Sequence, residues 1–184
     1  MFGNIKNLTI ISAMALGMFA TAVNAEKYEW GNVRFDGGGF VSAVIFHPKA
    51  ENLLYARTDV GGIYRFEFDK KTWVPLMDWI SENDVGLYGT EAFALDPNDP
   101  KRIYVLAGTG YFSKGRTAVL RSEDFGNTWD TSYVEMLAHG NGMGRQTGEK
   151  LAVDPNMGNI VLCGSRTKGV YKSTDYGKTR TNLY

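Results

Sequence analysis

The stretch that decides the fold is Ser-Glu-Asp-Phe-Gly-Asn-Thr-Trp at residues 122–129, because the chain contains a second copy of it. The copy, Ser-Thr-Asp-Tyr-Gly-Lys-Thr-Arg at residues 173–180, begins 51 residues later. Each turn closes a longer repeat in which an apolar run ends in a proline and a second apolar run follows. Three repeats run from Val44 to Trp73, from Phe93 to Trp129 and from Leu151 to Arg180, and the first has a degenerate turn. Such a period indicates a propeller, a solenoid or an array.

The repeated turn has a structural role that its residue types explain. Ser and Asp side chains hydrogen-bond nearby backbone groups, Gly adopts the positive φ of a tight turn, and Trp packs between sheets. The pattern is the Asp-box found in many propellers, so Asp124 and Asp175 are poor catalytic candidates. Arg180 occupies the Trp position of the third copy, where we expect a loss of buried aromatic area.

The apolar runs of the repeats are short and are bounded by Gly, Asn or Asp, which is typical of β-strands. Nothing after the N-terminal segment sustains a helical period over three turns. We therefore predict an all-β fold, a partial β-propeller of about three four-stranded blades, with three or four short antiparallel strands in each repeat. Closed propellers have about four to eight blades, and an open arc exposes two sheet edges. We expect either a fragment of a longer protein or a chain that closes its ring with a partner, and the fragment is the simpler alternative.

Composition limits the partners of the chain. Its 20 basic and 20 acidic side chains balance, which gives no reason to expect nucleic acid or an anionic membrane surface, and a neutral polymer suits it. The single cysteine, Cys163, lies in an apolar run and is expected to be a small buried hydrophobe. With two histidines and no Cys/His cluster or EF-hand pattern, we expect no metal site and no cofactor.

Residues 1–25 have the features of a signal peptide. Lys6 supplies a positive charge, residues 8–20 form an apolar stretch, and Val23-Asn24-Ala25 places small residues at the positions that a signal peptidase reads. The stretch is shorter than the roughly 20 apolar residues of a membrane-spanning helix. We therefore expect export, with a secreted or periplasmic location, and residues 26–184 as the incomplete propeller domain. A buried N-terminal helix is the less favoured alternative.

One carboxylate stands out as a candidate for chemistry. The segment Tyr-Ala-Arg-Thr-Asp-Val-Gly-Gly-Ile-Tyr at residues 55–64 predicts a strand, a Gly-Gly turn and a second strand, with Asp59 at the end of the first. A carboxylate there faces the rim where propeller ligands bind, and Arg57 is our candidate for the cation that holds it ionised. The alternative is that Asp59 only caps the Gly-Gly turn. Spacing alone favours the cap.

Several motifs occur in register along residues 28–175. They are Tyr-Glu-Trp at 28–30, Gly-Gly-Gly-Phe-Val at 37–41, Ile-Phe-His-Pro at 45–48, Asn-Leu-Leu-Tyr-Ala-Arg-Thr-Asp-Val-Gly-Gly at 52–62, Trp-Val-Pro-Leu-Met-Asp-Trp at 73–79, Ala-Leu-Asp-Pro at 94–97 and Gly-Glu-Lys-Leu-Ala-Val-Asp-Pro at 148–155. In these motifs the chain resembles the N-terminal part of the glycoside hydrolase family 74 xyloglucanases. The Arg-Thr-Asp-Val-Gly-Gly match is the specific one, since Asp-boxes occur with several unrelated activities.

The resemblance implies two seven-bladed propellers that face each other across a cleft holding a glucan chain. It implies hydrolysis of β-1,4-glucan backbones, typically plant cell-wall xyloglucan, with inversion. It also makes Asp59 the general base that takes a proton from the attacking water. In inverting enzymes the base and the acid stand about 6.5–9.5 Å apart. The family's acid lies in the second propeller, outside this chain, so we expect the chain alone to be inactive.

Four further residues are candidates for substrate binding: Arg57, Tyr88, Arg145 and Glu149. Tyr88 is either a platform for a sugar ring or a strand-edge tyrosine. The glycine-rich loop at 138–149 either lines the cleft, with Arg145 and Glu149 bonding sugar hydroxyls, or is a plain connection in which those two residues pair. Two other functions stay open for the whole chain. One is a non-catalytic glycan-binding or assembly module; the other, ranked last because no arginine cluster occurs, is a sialidase-type hydrolase.

Overall fold

The computed structural model of the protein describes residues 37–110, 112–145 and 147–183. The expected signal peptide, residues 1–25, lies outside the described residues, and so does the Tyr-Glu-Trp motif at 28–30. In the described part of the chain, no helix is long and apolar enough to cross a membrane. The only helical elements described are two 3₁₀ segments, Glu82–Tyr88 and Ser113–Gly115.

Three four-stranded antiparallel sheets make up the described fold, and in each sheet the strands pair in the order in which the chain forms them. The first sheet contains β1 (Val41–Phe46), β2 (Leu54–Thr58), β3 (Ile63–Glu67) and β4 (Thr72–Pro75). The second contains β5 (Thr90–Leu95), β6 (Ile103–Gly108), β7 (Thr117–Ser122) and β8 (Asp130–Val134). The third contains β9 (Leu151–Val153), β10 (Val161–Gly164), β11 (Val170–Ser173) and β12 (Thr181–Asn182).

Each sheet is built from one sequence repeat and the residues that flank it, so the predicted blades are confirmed and each has four strands. Alternation along β5 explains how the blades stack. Phe93 and Leu95 pack into the core shared with the first blade, whereas Ala92 and Ala94 pack into the core shared with the third. Side chains of successive strand residues point to opposite faces, so the second blade is covered on both sides. Two inter-blade cores therefore hold the three sheets together.

The Asp-box turns form the hydrogen bonds that their residue types predict. In the second blade, Asp124 accepts bonds from the Ser122 hydroxyl at 2.8 Å, from the Thr128 amide at 2.8 Å and from the Thr128 hydroxyl at 2.6 Å. Asp175 of the third blade makes the same three contacts within its own turn. The Gly126 φ of 88° places it in the left-handed region. Both aspartates therefore bind their own turns, as expected for structural residues.

The last residue of each Asp-box joins its blade to the preceding one. Trp129 donates its indole N–H to the Leu76 carbonyl of the first blade at 2.9 Å and packs against the shared core. Arg180 takes the same position in the third blade and donates to the Ser132 hydroxyl at 3.0 Å and the Tyr133 carbonyl at 2.9 Å. The arginine thus replaces an aromatic contact between blades with a polar one.

Candidate active site

The Gly-Gly turn after β2 is capped by Thr58. Its hydroxyl accepts a hydrogen bond from the Gly61 amide at 2.8 Å and donates to the Gly62 carbonyl at 3.3 Å. A Cβ on Gly61 would lie 2.3 Å from the Gly38 carbonyl, and Gly62 has a φ of +80°. Both positions therefore require glycine, one for space and one for backbone conformation.

Because Thr58 caps the turn, the carboxylate of Asp59 is available for other contacts. One of its oxygens, Oδ1, accepts a hydrogen bond from the Phe40 amide at 2.7 Å. Its other oxygen, Oδ2, lies 3.1 Å from Arg145 Nε, in an ionic contact whose N–H is not aligned as a hydrogen bond. Only 7% of the Asp59 side chain is exposed. The carboxylate is thus buried, held at one oxygen and faced by a cation at the other.

The cation beside Asp59 is Arg145, which corrects the expectation that Arg57 has this role. Arg57 is fully buried, and its guanidinium is engaged elsewhere. Its Nε donates to Glu149 Oε1 at 2.7 Å, and Nη1 donates to the Ser42 hydroxyl at 2.7 Å. The interval of two residues in a strand suggested that Arg57 and Asp59 interact, but the guanidinium reaches a partner 92 residues away in sequence. With no exposed surface in this structure, Arg57 offers nothing for a sugar to contact.

Arg145 and Glu149 do not pair with each other, which was the plain alternative for their loop. Glu149 accepts from Arg57 with one oxygen and from the Phe93 amide with the other, at 2.6 Å. Its side chain is 19% exposed. Arg145 lies against Asp59, and its guanidinium is 5.3 Å from the centre of the Phe40 ring. Roles for Arg145 and Glu149 in sugar binding stay predictions.

The glycines of the loop at residues 139–145 allow it to cross close to the second blade. The Gly140 amide donates to the Gly108 carbonyl at 2.9 Å. A Cβ on Gly140 would lie 2.4 Å from the carbonyl carbon of Gly89, so no larger residue fits without a shift of the backbone. The crossing brings Arg145 close to Asp59, which follows β2 of the first blade.

Tyr88 ends the 3₁₀ segment Glu82–Tyr88 and is partly buried against the core. Its carbonyl accepts a hydrogen bond from the Gly62 amide at 2.9 Å, so it is tied to the turn that follows Asp59. Burial raises the pKa of Tyr88, and the negative charge of the Asp78 carboxylate adds to this effect. Together with Val60 and Phe112 it lines a shallow pocket. Its role as a sugar platform stays a prediction.

Two charged residues near this site, Glu91 and Arg166, were not predicted from the sequence. Glu91 is buried, and its Oε1 lies 2.9 Å from both Lys150 Nζ and Arg166 Nη2. Burial raises its pKa, but the contacts with Arg166 and Lys150 and a hydrogen bond from the His139 amide outweigh this and hold the pKa below the ordinary value. Alignment of the repeats could have identified Glu91, because Glu91 and Glu149 each lie six residues before the proline of their repeat.

No group of three or more His, Cys, Asp or Glu side chains suited to a metal ion occurs in the ranges that the structure describes. The site brings together one buried carboxylate, its amide donor and an arginine.

Comparisons with known proteins show what the whole chain is similar to. No family model matches the chain. A xyloglucanase from Paenibacillus sp is 42% identical over 177 residues, or 91% of this chain, and a xyloglucanase from Acetivibrio thermocellus is 39% identical over 92% of it. Among solved structures, a glycoside hydrolase family 74 enzyme from Niastella koreensis shares 49% identity over 84% of the chain with a TM-score of 0.78. The chain matches part of a glycoside hydrolase family 74 enzyme in both sequence and fold.

A family 74 xyloglucanase from Xanthomonas campestris gives the same result, with 43% identity over 85% of the chain and a TM-score of 0.76. The resemblance inferred from the sequence motifs is therefore confirmed, and so is the all-β propeller fold. The chain spans about a fifth of the length of these relatives, 17% of the Paenibacillus protein and 23% of the Niastella structure.

Proposed function

We propose that this chain is part of a xyloglucan-hydrolysing enzyme and that Asp59 is its general base. One observation carries the proposal. In a chain 42% identical to a xyloglucanase, the carboxylate at the end of β2 is released from the turn by Thr58 and lies beside Arg145. A buried carboxylate with a specific charged partner is a candidate for a catalytic group. Structural ion pairs are the competing explanation, and the experiment below separates the two.

The proposed step is proton removal from a water molecule that attacks the anomeric carbon. Asp59 accepts this proton as a carboxylate, and the guanidinium of Arg145 lies 3.1 Å from its Oδ2. The Phe40 amide fixes the direction of the carboxylate through Oδ1. Each carboxylate oxygen has two acceptor lone pairs and one present contact, so each keeps a lone pair for a water molecule that reaches it.

The leaving oxygen needs a proton from a second carboxyl group. In an inverting mechanism the two carboxyls stand about 6.5–9.5 Å apart, which leaves room for the water. We propose that this acid belongs to a second propeller, that the substrate is xyloglucan or a related β-glucan, and that the protein acts outside the cytoplasm, secreted or in the periplasm. Similar proteins include xyloglucanases and a reducing-end-specific oligoxyloglucan enzyme of Emericella nidulans. We therefore propose xyloglucan as the polysaccharide and leave open whether the chain is cut internally or at its reducing end.

The test uses the enzyme that contains this segment, assayed on xyloglucan by release of reducing ends. Asp59→Asn removes the base without changing its size, and we expect kcat to fall about 10²–10⁴-fold while KM changes little. Asp69→Asn is the matched control, because Asp69 is an exposed aspartate in the β3–β4 turn of the same blade. Proton NMR of the first product should show the inverted anomer. If Asp59→Asn retains the kcat of the control, Asp59 is not the base.

A second outcome would assign a different function. If the unaltered enzyme binds xyloglucan in a pull-down but releases no reducing ends, the propeller is a glycan-binding module. Binding of a sialoside in place of a neutral glucan would contradict both.

A further inference from the structure

Two arginine–glutamate pairs lie near Asp59, and their glutamates hold equivalent positions in the repeats. Glu91 and Glu149 are each six residues before the proline of their repeat, and Ser42 holds that position in the first repeat. Arg57 pairs with Glu149, and Arg166 pairs with Glu91. Each pair therefore joins residues of different blades, since Glu149 precedes β9 and Arg57 belongs to β2, while Glu91 belongs to β5 and Arg166 follows β10.

Both arginines also donate to carbonyl groups of the loop at residues 139–145. Arg57 Nη2 donates to the Arg145 carbonyl at 3.2 Å. Arg166 Nη1 donates to the Met143 carbonyl at 2.8 Å, and its Nη2 donates to the His139 carbonyl at 3.5 Å. Glu91 completes this attachment by accepting the His139 amide at 2.8 Å. The beginning, the middle and the end of the loop are thus held by the two pairs.

The consequence falls on Arg145, because its own carbonyl is one of the groups that are held. The guanidinium of Arg145 reaches Asp59 from a loop that is otherwise rich in glycine. The Arg145 side chain is 32% exposed. Glycine gives a loop little conformational preference of its own. Within the loop, the Gly142 amide donates to the His139 carbonyl and the Arg145 amide donates to the Gly142 carbonyl, and Arg57 and Arg166 supply three further contacts that attach these turns to the blades.

We propose that Arg57 and Arg166 are positioning residues that hold the loop at 139–145 so that Arg145 lies beside Asp59. Arginine is needed at both positions because one guanidinium binds a carboxylate and a carbonyl together, whereas a lysine ammonium keeps the ion pair without that fixed geometry. The importance of this placement for catalysis rests on the proposed function of Asp59. The placement itself does not.

The test measures the surroundings of Arg145 directly, in the 184-residue chain and without substrate. The ¹⁵Nε–¹H signal of Arg145, assigned with Arg145→Lys, reports contact with Asp59, and Asp59→Asn defines the signal without that partner. Arg166→Lys is the deciding variant, because the Arg166 side chain is 25% exposed and tolerates replacement better than fully buried Arg57. Arg121→Lys is the matched control, since Arg121 pairs with Asp130 within the second blade and makes none of the loop contacts described here.

In Arg166→Lys we expect the Arg145 signal to move towards its position in Asp59→Asn. We also expect amide hydrogen exchange at residues 139–145 to quicken about tenfold, while the strands keep their protection. Arg57→Lys should give the same shift. An Arg145 signal that stays at its original position in Arg166→Lys would overturn the proposal, whatever happens to thermal stability. Neither readout depends on hydrolysis. If Asp59→Asn is inactive but the Arg145 signal does not move in Arg166→Lys, the proposed function stands and the positioning role is rejected.

Discussion

Asp59 is held in place by main-chain groups as well as by Arg145. Phe40 donates its amide to the carboxylate, and the Asp59 amide in turn donates to the Phe40 carbonyl at 3.1 Å. The residue before Phe40 is Gly39, with a φ of +106°, where a Cβ would lie 2.8 Å from Asp59 Oδ1. The glycine therefore permits the approach of this backbone to the carboxylate.

We predict that Gly39→Ala both strains the backbone and displaces Asp59. The free energy of unfolding should fall by about 1 kcal/mol or more, because alanine is disfavoured at this φ. The kcat on xyloglucan should fall with it. Gly38→Ala is the matched control, since a Cβ on Gly38 meets nothing within 4 Å. Urea unfolding and initial rates measure the two effects. Equal unfolding free energies and equal kcat values in the two variants would show that the Gly39 backbone does not hold the carboxylate.

Burial determines the reactivity of Cys163. It lies in the core between the second and third blades and is 6% exposed, and burial raises the pKa of its thiol to about 12. Thiolate, not thiol, is the reactive form. We predict that the native chain reacts with a thiol reagent at pH 8 far more slowly than the chain in urea does. Reaction at equal rates in both conditions would mean that Cys163 is not buried.

At the level of elements, Glu91 joins β5 to the loop at 139–145 and to Lys150 and Arg166. A carboxylate whose pKa is lower in the folded chain stabilises the fold above its unfolded pKa, about 4.3, and this stabilisation is lost as the pH falls below that value. We predict that the unfolding free energy of the original chain exceeds that of Glu91→Gln at pH 7. The difference should be constant down to about pH 5 and should shrink below about 4.3.

The measurement is urea unfolding at a series of pH values, with Glu51→Gln as a variant at an exposed glutamate of the same chain. A difference between the original chain and Glu91→Gln that grows on acidification would contradict the assignment.

The Asp-box tryptophan is the second link at the scale of elements. Trp129 spans from the second blade to the first, through its hydrogen bond to Leu76 and its contact with the core. We predict that Trp129→Ala lowers the unfolding free energy by up to about 3 kcal/mol, because it leaves a cavity between two sheets. Trp79→Ala is the control, since Trp79 is 46% exposed. Thermal or urea unfolding measures the two free energies of unfolding. An equal loss of stability in both variants would show that Trp129 has no special role between the blades.

For the molecule as a whole, the stack of blades leaves apolar side chains on its two outer faces. On β1, Ala43 and Ile45 face the core, whereas Val44 and Phe46 are 54% and 61% exposed. On β10, Leu162 is exposed between buried Val161 and Cys163. Exposed apolar patches of this kind favour association.

We therefore predict that the 184-residue chain self-associates at micromolar concentration and that Phe46→Glu reduces this association. Ser81→Glu is the matched control, because it introduces the same charge at an exposed position away from β1. Sedimentation velocity measures the effect. Identical sedimentation of Phe46→Glu and of the control would show that the face of β1 is not the contact.

The sequence predicted the blades well because its repeats and turns act locally. An Asp-box encodes its own hydrogen bonds within eight residues, as Asp124 and Asp175 show. The ionic contacts of the site are long-range, and here local spacing failed. Arg57 is two positions before Asp59, which predicts an interaction between them, yet it bonds Glu149, and Arg145 reaches Asp59 from a loop 86 residues along the chain. Such pairing depends on how the blades stack, which no window of sequence contains.

The role of Asp59 as general base is tested most directly by a crystal structure of the enzyme containing this segment, bound to a xyloglucan oligosaccharide. Our account predicts a water molecule within hydrogen-bond distance of Asp59, about 3 Å, on the face of the anomeric carbon opposite the leaving oxygen. An oligosaccharide bound elsewhere, with Asp59 still enclosed by Phe40 and Arg145 and without access to water, would contradict it.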